Sequence, residues 1–216
     1  MLFRSLDAIT SGNPAISGYA LDVEDAGGIA GFAARVTEAH PDLNVLVNNA
    51  GIMRPEDLQD AAHLADAEAM VATNLLGPIR MTSAFLPHLL ARPRSTLINV
   101  TSGLAFVPLV MTPTYSATKA ALHSFTQSLR RQMQGTSVEV VELAPPAVQT
   151  DLMPGQASSP HAMPLDAFIA EVMDLLGQDP TPAEICVERV GFLRRAEAEG
   201  RFDDAFAMIN GNWSRP

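Results

Sequence analysis

The sequence predicts an α/β fold in which helices cover both faces of a largely parallel β-sheet. Residues 43–47, 96–101 and 138–143 are mostly apolar segments, as expected of strands buried in the middle layer of such a fold. Helical patterns separate them, which favours parallel strands joined by crossover helices. At 216 residues the chain has the length of one domain, and we predict a single domain over residues 1–216.

The N-terminal part is predicted to add one strand and one helix. Residues 16–23 have the pattern of a strand, and residues 25–40 have that of an amphipathic helix. Gly27, Gly28 and Gly31 follow the strand, but they lack the G-x-G-x-x-G spacing of a phosphate-binding loop. We interpret them as glycines that let the helix pack closely against the sheet.

The remaining segments complete the alternation of helices and strands. Residues 66–90 and 113–134 are predicted helices, and a last strand is predicted at 185–190. Residues 151–182 are rich in Pro, Gly, Ser and Met and contain a predicted helix at 165–176. A connection of this length inside a compact domain is usually functional, so we expect it to cover the substrate, which its composition suggests is partly apolar.

Charge and composition exclude several classes of partner. Fourteen basic residues against 24 acidic residues give a formal charge of −10, which argues against nucleic acid and against an anionic membrane surface. No segment resembles a signal peptide or a membrane span. The single cysteine, Cys186, permits no internal disulfide and suits a reducing compartment. We therefore expect a cytoplasmic protein that acts on a small molecule.

No metal site is predicted. The chain offers one cysteine and five scattered histidines, and their spacing matches no metal-binding pattern. The histidines are expected to lie at the surface or to fill the core: His40, His63, His88, His123 and His161.

One stretch of the chain carries groups that could move a proton. Ser102 follows the apolar segment 96–101, and the end of a buried strand is the usual ligand-facing position in open α/β sheets. Tyr115 and Lys119 lie four residues apart on a predicted helix and so project from one face. A phenol has an unperturbed pKa of about 10, and a nearby ammonium favours the phenolate. The pair could therefore exchange a proton with an alcohol or carbonyl oxygen.

Each of these features is weak when it is taken alone. A tyrosine four residues before a lysine is more often surface packing than catalysis, and a serine after a strand is usually a turn residue. A hydrolase that uses serine and lysine is a remote alternative, because the chain lacks a G-x-S-x-G nucleophile elbow. Only the order of several motifs makes a combined interpretation specific.

Five short motifs follow one another along the chain: N-N-A-G at 48–51, N-x-x-G at 74–77, serine at 102, Y-x-x-x-K at 115–119 and P-P-A-V-Q-T at 145–150. This order resembles the short-chain dehydrogenase/reductase family over nearly the whole chain, and the C-terminal part is similar to its DltE-like oxidoreductases. The resemblance implies a Rossmann-like parallel sheet. It also implies an NAD(P)-dependent oxidoreductase that interconverts a carbonyl and an alcohol by hydride transfer.

The resemblance implies roles for individual residues as well. Tyr115 would be the general acid/base, Lys119 would lower its pKa and hold the ribose, Ser102 would orient the carbonyl, and Asn74 would support the proton relay. The implied cofactor contacts are Asp22, Val23, Asn48, Ala50, Gly51, Tyr115, Lys119, Pro145, Val148 and Thr150. Pro146 stands where the family commonly has glycine, which weakens the match at that position. The implied cofactor is NAD or NADP.

The opening segment of the family is not matched. If residues 16–23 are the family's third strand and 43–47 its fourth, the first two strands and the glycine-rich phosphate loop are absent, so we predict an N-terminally truncated sheet. Because a buried unpaired edge is costly, we expect residues 16–23 to pair directly with 43–47, to pair in another subunit, or to belong to a product that begins upstream of Met1. Without the loop, cofactor affinity is expected to fall. The sequence does not specify NAD or NADP.

Two expectations concern assembly and activity. We expect a homo-oligomer, either a dimer or a tetramer, with an apolar side of helix 113–134 as its contact surface: Ala120, Leu122, Phe125 and Leu129. The leading hypothesis is an active carbonyl/alcohol oxidoreductase. The alternative is a catalytically silent, truncated relative that serves as a binding or assembly protein.

Overall fold

The computed structural model describes residues 10–13 and 15–211, and a parallel sheet lies at its centre. Its strands follow one another across the sheet in chain order: β1 (Val45–Asn48), β2 (Ser95–Val100), β3 (Val138–Leu143) and β4 (Glu184–Ile185). Every neighbouring pair is parallel. The three apolar strands predicted from the sequence are confirmed, with ends shifted by no more than two residues.

Helices connect these strands: α1 (Ala26–Ala39), α2 (His63–Val71), α3 (Gly77–Leu90), α4 (Pro113–Gln132), α5 (Leu165–Leu176), α6 (Gly191–Arg194) and α7 (Phe202–Asn210). A π-helical turn, Ala72–Leu76, joins α2 to α3 without a break. Short 3₁₀ turns lie at Gly103–Ala105, Gln156–Ser158 and Glu188–Val190. Over the described residues, no helix is both long and apolar enough to cross a bilayer.

Helices α1, α3 and α4 pack against one face of the sheet. The core on this face consists of Ala33, Val36, Phe85, Leu89 and Leu129 from the helices and Leu46, Leu97, Val138 and Val140 from the strands. Because side chains alternate along a strand, the neighbours of these strand residues enter the opposite layer.

Helix α5 and the segment after β4 pack against the second face. This core consists of Ile98, Val141, Ala144, Val172, Ile185, Val187 and Val190. Consecutive residues such as Leu97 and Ile98 therefore contribute to different cores. The predicted three-layer arrangement, with helices on both faces of a parallel sheet, is confirmed.

Strand β1 is covered on one face only. Leu46 is buried, whereas Val45 and Val47 are 47% and 49% exposed. Helix α5 contacts β4 at the far side of the sheet, and none of the described residues covers these two valines. The expectation that residues 43–47 are buried on both faces is therefore wrong.

The strand predicted at 16–23 does not form. These residues have no regular secondary structure, and β1 pairs with β2 alone within the described part of the chain. A strand requires a hydrogen-bonded neighbour, and the segment instead runs over the helices. Tyr19 contacts His40 at 2.8 Å between the hydroxyl and Nε2, and a Cβ added to Gly77 would lie 3.2 Å from Val23 Cβ. The expected direct pairing of 16–23 with 43–47 is wrong.

The glycines of α1 have a different environment from the one predicted. Asp25 caps the helix by accepting hydrogen bonds from the backbone N–H groups of Gly27 and Gly28, at 3.0 and 3.1 Å. Gly27 and Gly31 are exposed, and Gly28 faces the Asp25 carboxylate. They lie on a helix, as predicted, but they do not pack it against the sheet.

Two further expectations need correction. The last strand is shorter than the predicted 185–190, because it ends at Ile185 and a 3₁₀ turn follows. The apolar side of α4 is not a free contact surface: Leu122 is fully buried, and Leu129 belongs to the core of its own chain, with Phe125 packed against it. Within the proposed set only Ala120 is exposed.

Candidate active site

The loops after β2 and β3 meet at the carboxyl edge of the sheet. Ser102 has an extended backbone, and its hydroxyl accepts a hydrogen bond from Leu104 N at 3.1 Å. The next residue, Gly103, donates its backbone N–H to the carbonyl oxygen of Pro145 at 2.9 Å. The end of a parallel strand thus presents Ser102 where such sheets usually bind ligands.

Helix α4 is held at its N-terminus by a carboxylate from another part of the chain. Glu56 is buried, and its side chain accepts hydrogen bonds from the backbone N–H of Thr114 at 2.8 Å and from its hydroxyl at 2.7 Å. A negative charge at a helix N-terminus is favourable. This contact fixes the turn that carries Tyr115. Sequence reasoning missed Glu56, because 58 residues separate it from Thr114.

Tyr115 lies buried beside Ser102. The two residues are 6% and 8% exposed. Burial raises the pKa of Tyr115 to about 12, and a side-chain hydrogen bond with Ser102 acts in the opposite direction. At neutral pH the phenol therefore carries its proton.

Lys119 is the only lysine in the chain, and it lies one helical turn beyond Tyr115. Its Nζ donates to the carbonyl oxygen of Val100 at 2.8 Å and lies 5.6 Å from the centre of the Tyr115 ring. Burial lowers the pKa of Lys119 to about 8. Burial is the largest cause of the shift in both groups, and the lowering of the phenol's pKa by Lys119 stays a prediction.

Asn74 lies in the π-helical turn, and its side-chain amide is hydrogen-bonded. It is fully buried; its Nδ2 donates to Ile52 O and its Oδ1 accepts from Ile52 N, both at 2.8 Å. Its Nδ2 also lies 3.3 Å from the Thr118 hydroxyl. The predicted role of Asn74 in a proton relay stays a prediction. Its side chain holds the residue after the N-N-A-G motif in place.

Gly51 lies between two of the predicted catalytic residues. A Cβ added to it would lie 3.4 Å from Asn74 Oδ1 and 3.7 Å from Lys119 Nζ. Ala50 before it is half-buried. This small space beside an ammonium group is open only because the motif ends in glycine.

Asn48 points into the interior. Its Nδ2 donates to Asn99 Oδ1 at 2.8 Å and to the Thr82 hydroxyl at 3.3 Å, and Asn99 donates in turn to Thr126 at 2.9 Å. These amides tie β1 to β2. The Nδ2 of Asn48 is engaged in the core.

Asp22 and Val23 lie apart from this cluster. Asp22 is exposed, and its carboxylate accepts a hydrogen bond from Glu24 N at 2.9 Å. Val23 packs on Gly77, at the start of α3. Their predicted contact with an adenine ring stays a prediction.

The segment after β3 is held by an isolated β-bridge and the hydrogen bonds around it. Val148 pairs with Met163, and Gln149 N donates to Met163 O at 2.8 Å. Gln156 Nε2 donates to Val148 O at 2.7 Å and lies 3.4 Å from the Thr150 hydroxyl. Residues 151–162 therefore form a closed loop beside Pro145.

This loop covers a cavity of about 690 Å³. Ser102, Tyr115 and Pro145 line it together, so the structure brings these predicted site residues to one place. Most of the wall is apolar: Met53, Leu104, Leu109, Met111, Pro146, Leu152, Met153, Leu193 and Ile209. The contribution of Leu193 and Ile209, from α6 and α7, was missed because nothing in their local sequence points to a cavity.

A second polar cluster lies below Ser102. His123 Nδ1 contacts the carboxylate of fully buried Glu142 at 2.8 Å, and Thr101 donates to the same carboxylate at 2.7 Å. Glu184, on the neighbouring strand, pairs with Arg194 at 2.6 Å. The ligand atoms of His123, Glu142 and Glu184 lie within 4.8 Å of one another. Both carboxylates already have partners: hydrogen bonds engage Glu142, and the Arg194 guanidinium engages Glu184. The sequence signal that could have indicated this cluster is a charged residue, Glu142, within the apolar strand β3.

Comparison with known proteins shows the family to which the chain is related. The family model described as short chain dehydrogenase matches residues 4–160. The chain is 39% identical over 177 residues to an uncharacterized oxidoreductase DltE from Bacillus subtilis, which covers 79% of this chain and 69% of that protein. It is 34% identical over 131 residues to an NADP-dependent 3-hydroxy acid dehydrogenase from Schizosaccharomyces pombe, covering 61% of this chain and 51% of that protein.

Solved structures agree on the fold. A short chain dehydrogenase from Burkholderia cenocepacia in complex with NADP superposes with a TM-score of 0.77 at 24% identity, over 91% of this chain and 82% of that one. The chain thus spans about two thirds of one matched relative and about half of the other.

Proposed function

Because the chain belongs to the short-chain dehydrogenase family, a family of oxidoreductases, we propose that it interconverts a carbonyl and an alcohol with NAD or NADP and that Tyr115 is its general acid/base. The observation that carries the proposal is that Tyr115 and Ser102, both buried, line one cavity at the carboxyl edge of the sheet. The relative named for NADP and a 3-hydroxy acid supports a nicotinamide cofactor and an alcohol as reactants.

The protonation states suit reduction of a carbonyl at neutral pH. Tyr115, with a pKa of about 12, holds the proton that the carbonyl oxygen must receive, and Ser102 can donate a hydrogen bond to the same oxygen. Lys119, with a pKa of about 8, is mostly protonated at pH 7. Its charge then stabilises the phenolate that Tyr115 becomes. Asn74 is a positioning residue that acts through Ile52 and Thr118.

The described residues fit the nicotinamide end of the cofactor. Gly51 leaves a small space next to Lys119 Nζ, where Lys119 and Tyr115 would hold the ribose. Pro145, Val148 and Thr150 would face the nicotinamide ring, and Asp22 and Val23 the adenine. When bound, the cofactor supplies or accepts the hydride. No glycine-rich turn joins a strand to a helix among the described residues, so none of them is assigned to the cofactor's diphosphate.

The test is Tyr115→Phe, which removes one oxygen and keeps the ring. We expect reduction of carbonyl compounds by NADH or NADPH to fall by about 100-fold or more, because no other described group at Ser102 carries a transferable proton. Tyr19→Phe is the matched control, because Tyr19 is the only other tyrosine in the chain, is exposed, and contacts half-buried His40 through its hydroxyl.

Two measurements separate an enzyme from a silent relative. The melting temperature with and without NADPH reports cofactor binding. We expect Tyr19→Phe to bind as the unmodified chain does and Tyr115→Phe to bind nearly as tightly, because it loses only the phenol's share in holding the ribose. Undiminished turnover in Tyr115→Phe would overturn the assignment of the acid. No cofactor-dependent rise in melting temperature would favour the binding or assembly protein. The homo-oligomeric state and the cytoplasmic location of the protein stay predictions.

A further inference from the structure

The cavity beside Tyr115 has a wall with little charge, and this property determines what can enter it. Of the lining residues, only Tyr115 and His161 are ionisable, and none of them is a lysine or an arginine. His161 is exposed, so water screens any charge it carries. The cavity therefore offers no buried cation to a substrate.

The nearest basic side chains are engaged elsewhere. Lys119 Nζ donates to the carbonyl oxygen of Val100. Arg189 donates from Nη2 to the backbone oxygen of His161 at 2.8 Å and does not itself line the cavity. Arg194 is held by Glu184. Recognition of a carboxylate, sulfonate or phosphate is strongest with a cation such as lysine or arginine, and this wall has neither residue.

We infer that the substrate is an uncharged aldehyde or ketone with an apolar body, an inference that rests on the proposed function. Ser102 and Tyr115 are the polar pair that can take the carbonyl oxygen. The rest of the molecule lies against the aliphatic and thioether side chains around them, which include Leu109, Met111 and Leu152. A volume of about 690 Å³ is within the range of small-molecule sites.

An anionic analogue meets two obstacles. Its charged group must lose hydration against an apolar wall without gaining a partner, and the chain, with a formal charge of −10, repels it during approach. A neutral analogue of the same shape meets neither obstacle, and each methylene it buries adds to its binding. The cavity wall therefore favours the neutral analogue over the anionic one.

Ethyl levulinate and levulinate test the inference, because they share one ketone and differ in a terminal ester or carboxylate. We expect the purified protein to bind the ester at least ~100-fold more tightly than the acid, as measured by saturation-transfer NMR titration, which needs no turnover. Butyl levulinate should bind more tightly than the ethyl ester, by roughly threefold for each added methylene. The ratio of kcat/KM with NADPH should follow the same order.

A charge placed in the wall provides the converse experiment. Leu152 is 36% exposed at the cavity, so Leu152→Arg can keep its guanidinium hydrated in the folded protein. We expect affinity for levulinate to rise by about tenfold and affinity for the ester to fall, because the ester loses its apolar contact with Leu152. Leu90→Arg is the matched control, since Leu90 is 42% exposed at the end of α3, outside the cavity. It should leave both affinities unchanged.

The outcomes separate this inference from the proposed function. Levulinate bound as tightly as its ester would overturn the inference and leave the proposed oxidoreduction intact. Preferential binding of the esters without turnover would support the inference and contradict the proposed function. Failure of all three compounds to bind would also overturn the inference, because an apolar cavity of this size should take the esters.

Discussion

Lys119 should destabilise the folded protein at neutral pH, and replacing it should reveal by how much. Its pKa is about 8 in the folded chain against 10.5 when unperturbed, because burial penalises the ammonium. At about 1.4 kcal/mol for each pKa unit, the protonated side chain costs the folded state about 3 kcal/mol.

The pH dependence follows from proton binding in the two states. Between pH 8 and 10.5 the unfolded lysine holds its proton and the folded one has released it, so the free energy of unfolding rises with pH in this window. Below pH 8 the full penalty is present. Lys119→Met should therefore be more stable than the unmodified chain at pH 7, by about 2 kcal/mol after about 1 kcal/mol is subtracted for the lost bond to Val100. At pH 10.5 this gain should have disappeared.

Urea unfolding at pH 7 and pH 10.5 measures the difference between the two proteins. The ionisation of Tyr115 above pH 10 affects both proteins alike and cancels. Arg131→Met removes a positive charge from an exposed position of the same helix and should change stability by less than about 0.5 kcal/mol at either pH. Because Lys119 is the only lysine, protein labelled at lysine Cε gives one NMR signal whose titration reports its pKa. A midpoint near 10.5, or equal effects of Lys119→Met at both pH values, would refute the reasoning.

Two further predictions concern buried contacts. Glu142→Leu should lower the free energy of unfolding by about 3 kcal/mol. The change leaves the buried Thr101 hydroxyl and the half-buried His123 Nδ1 without their carboxylate partner. The double variant with His123→Leu should cost less than the sum of the single changes by about 1 kcal/mol or more, and additive urea midpoints would contradict the contact. Gly77→Ala should cost about 1 kcal/mol, since its Cβ would lie 3.2 Å from Val23. Adding Val23→Gly, which removes the Cβ that the new methyl group meets, should recover most of that loss, and an equal loss in both backgrounds would show that this segment is not packed there.

The sequence was sufficient where the signal is local. Helix α5 was predicted at both ends, because an amphipathic pattern is bounded there by Pro164 and Gly177. Strand β3 was predicted as accurately from its apolar residues. The positions of Ser102 and Tyr115 in one cavity wall followed from the order of motifs.

Long-range contacts account for the failures. Residues 16–23 have the composition of a strand, but a strand forms only beside a partner, and none is available in the described chain. The pKa of Tyr115 depends on burial by distant segments, which the spacing to Lys119 does not reveal. Glu56 and Glu142 act on residues 58 and 41 positions away, beyond any local pattern.

The π-helical turn at Ala72–Leu76 determines how this stretch responds to the deletion of a residue. Such a turn holds one residue more than regular helical winding, and one residue corresponds to about 100° of rotation. Removing a single residue there would restore ordinary winding and leave α3 near its present rotation relative to α2, because the wide turn absorbs the extra residue locally. Met70 and Phe85, both buried, could keep their places, but Asn74 would lose the position in the turn from which its amide bonds to Ile52. The stretch should tolerate a change of side chain at its exposed positions far more readily than a deletion.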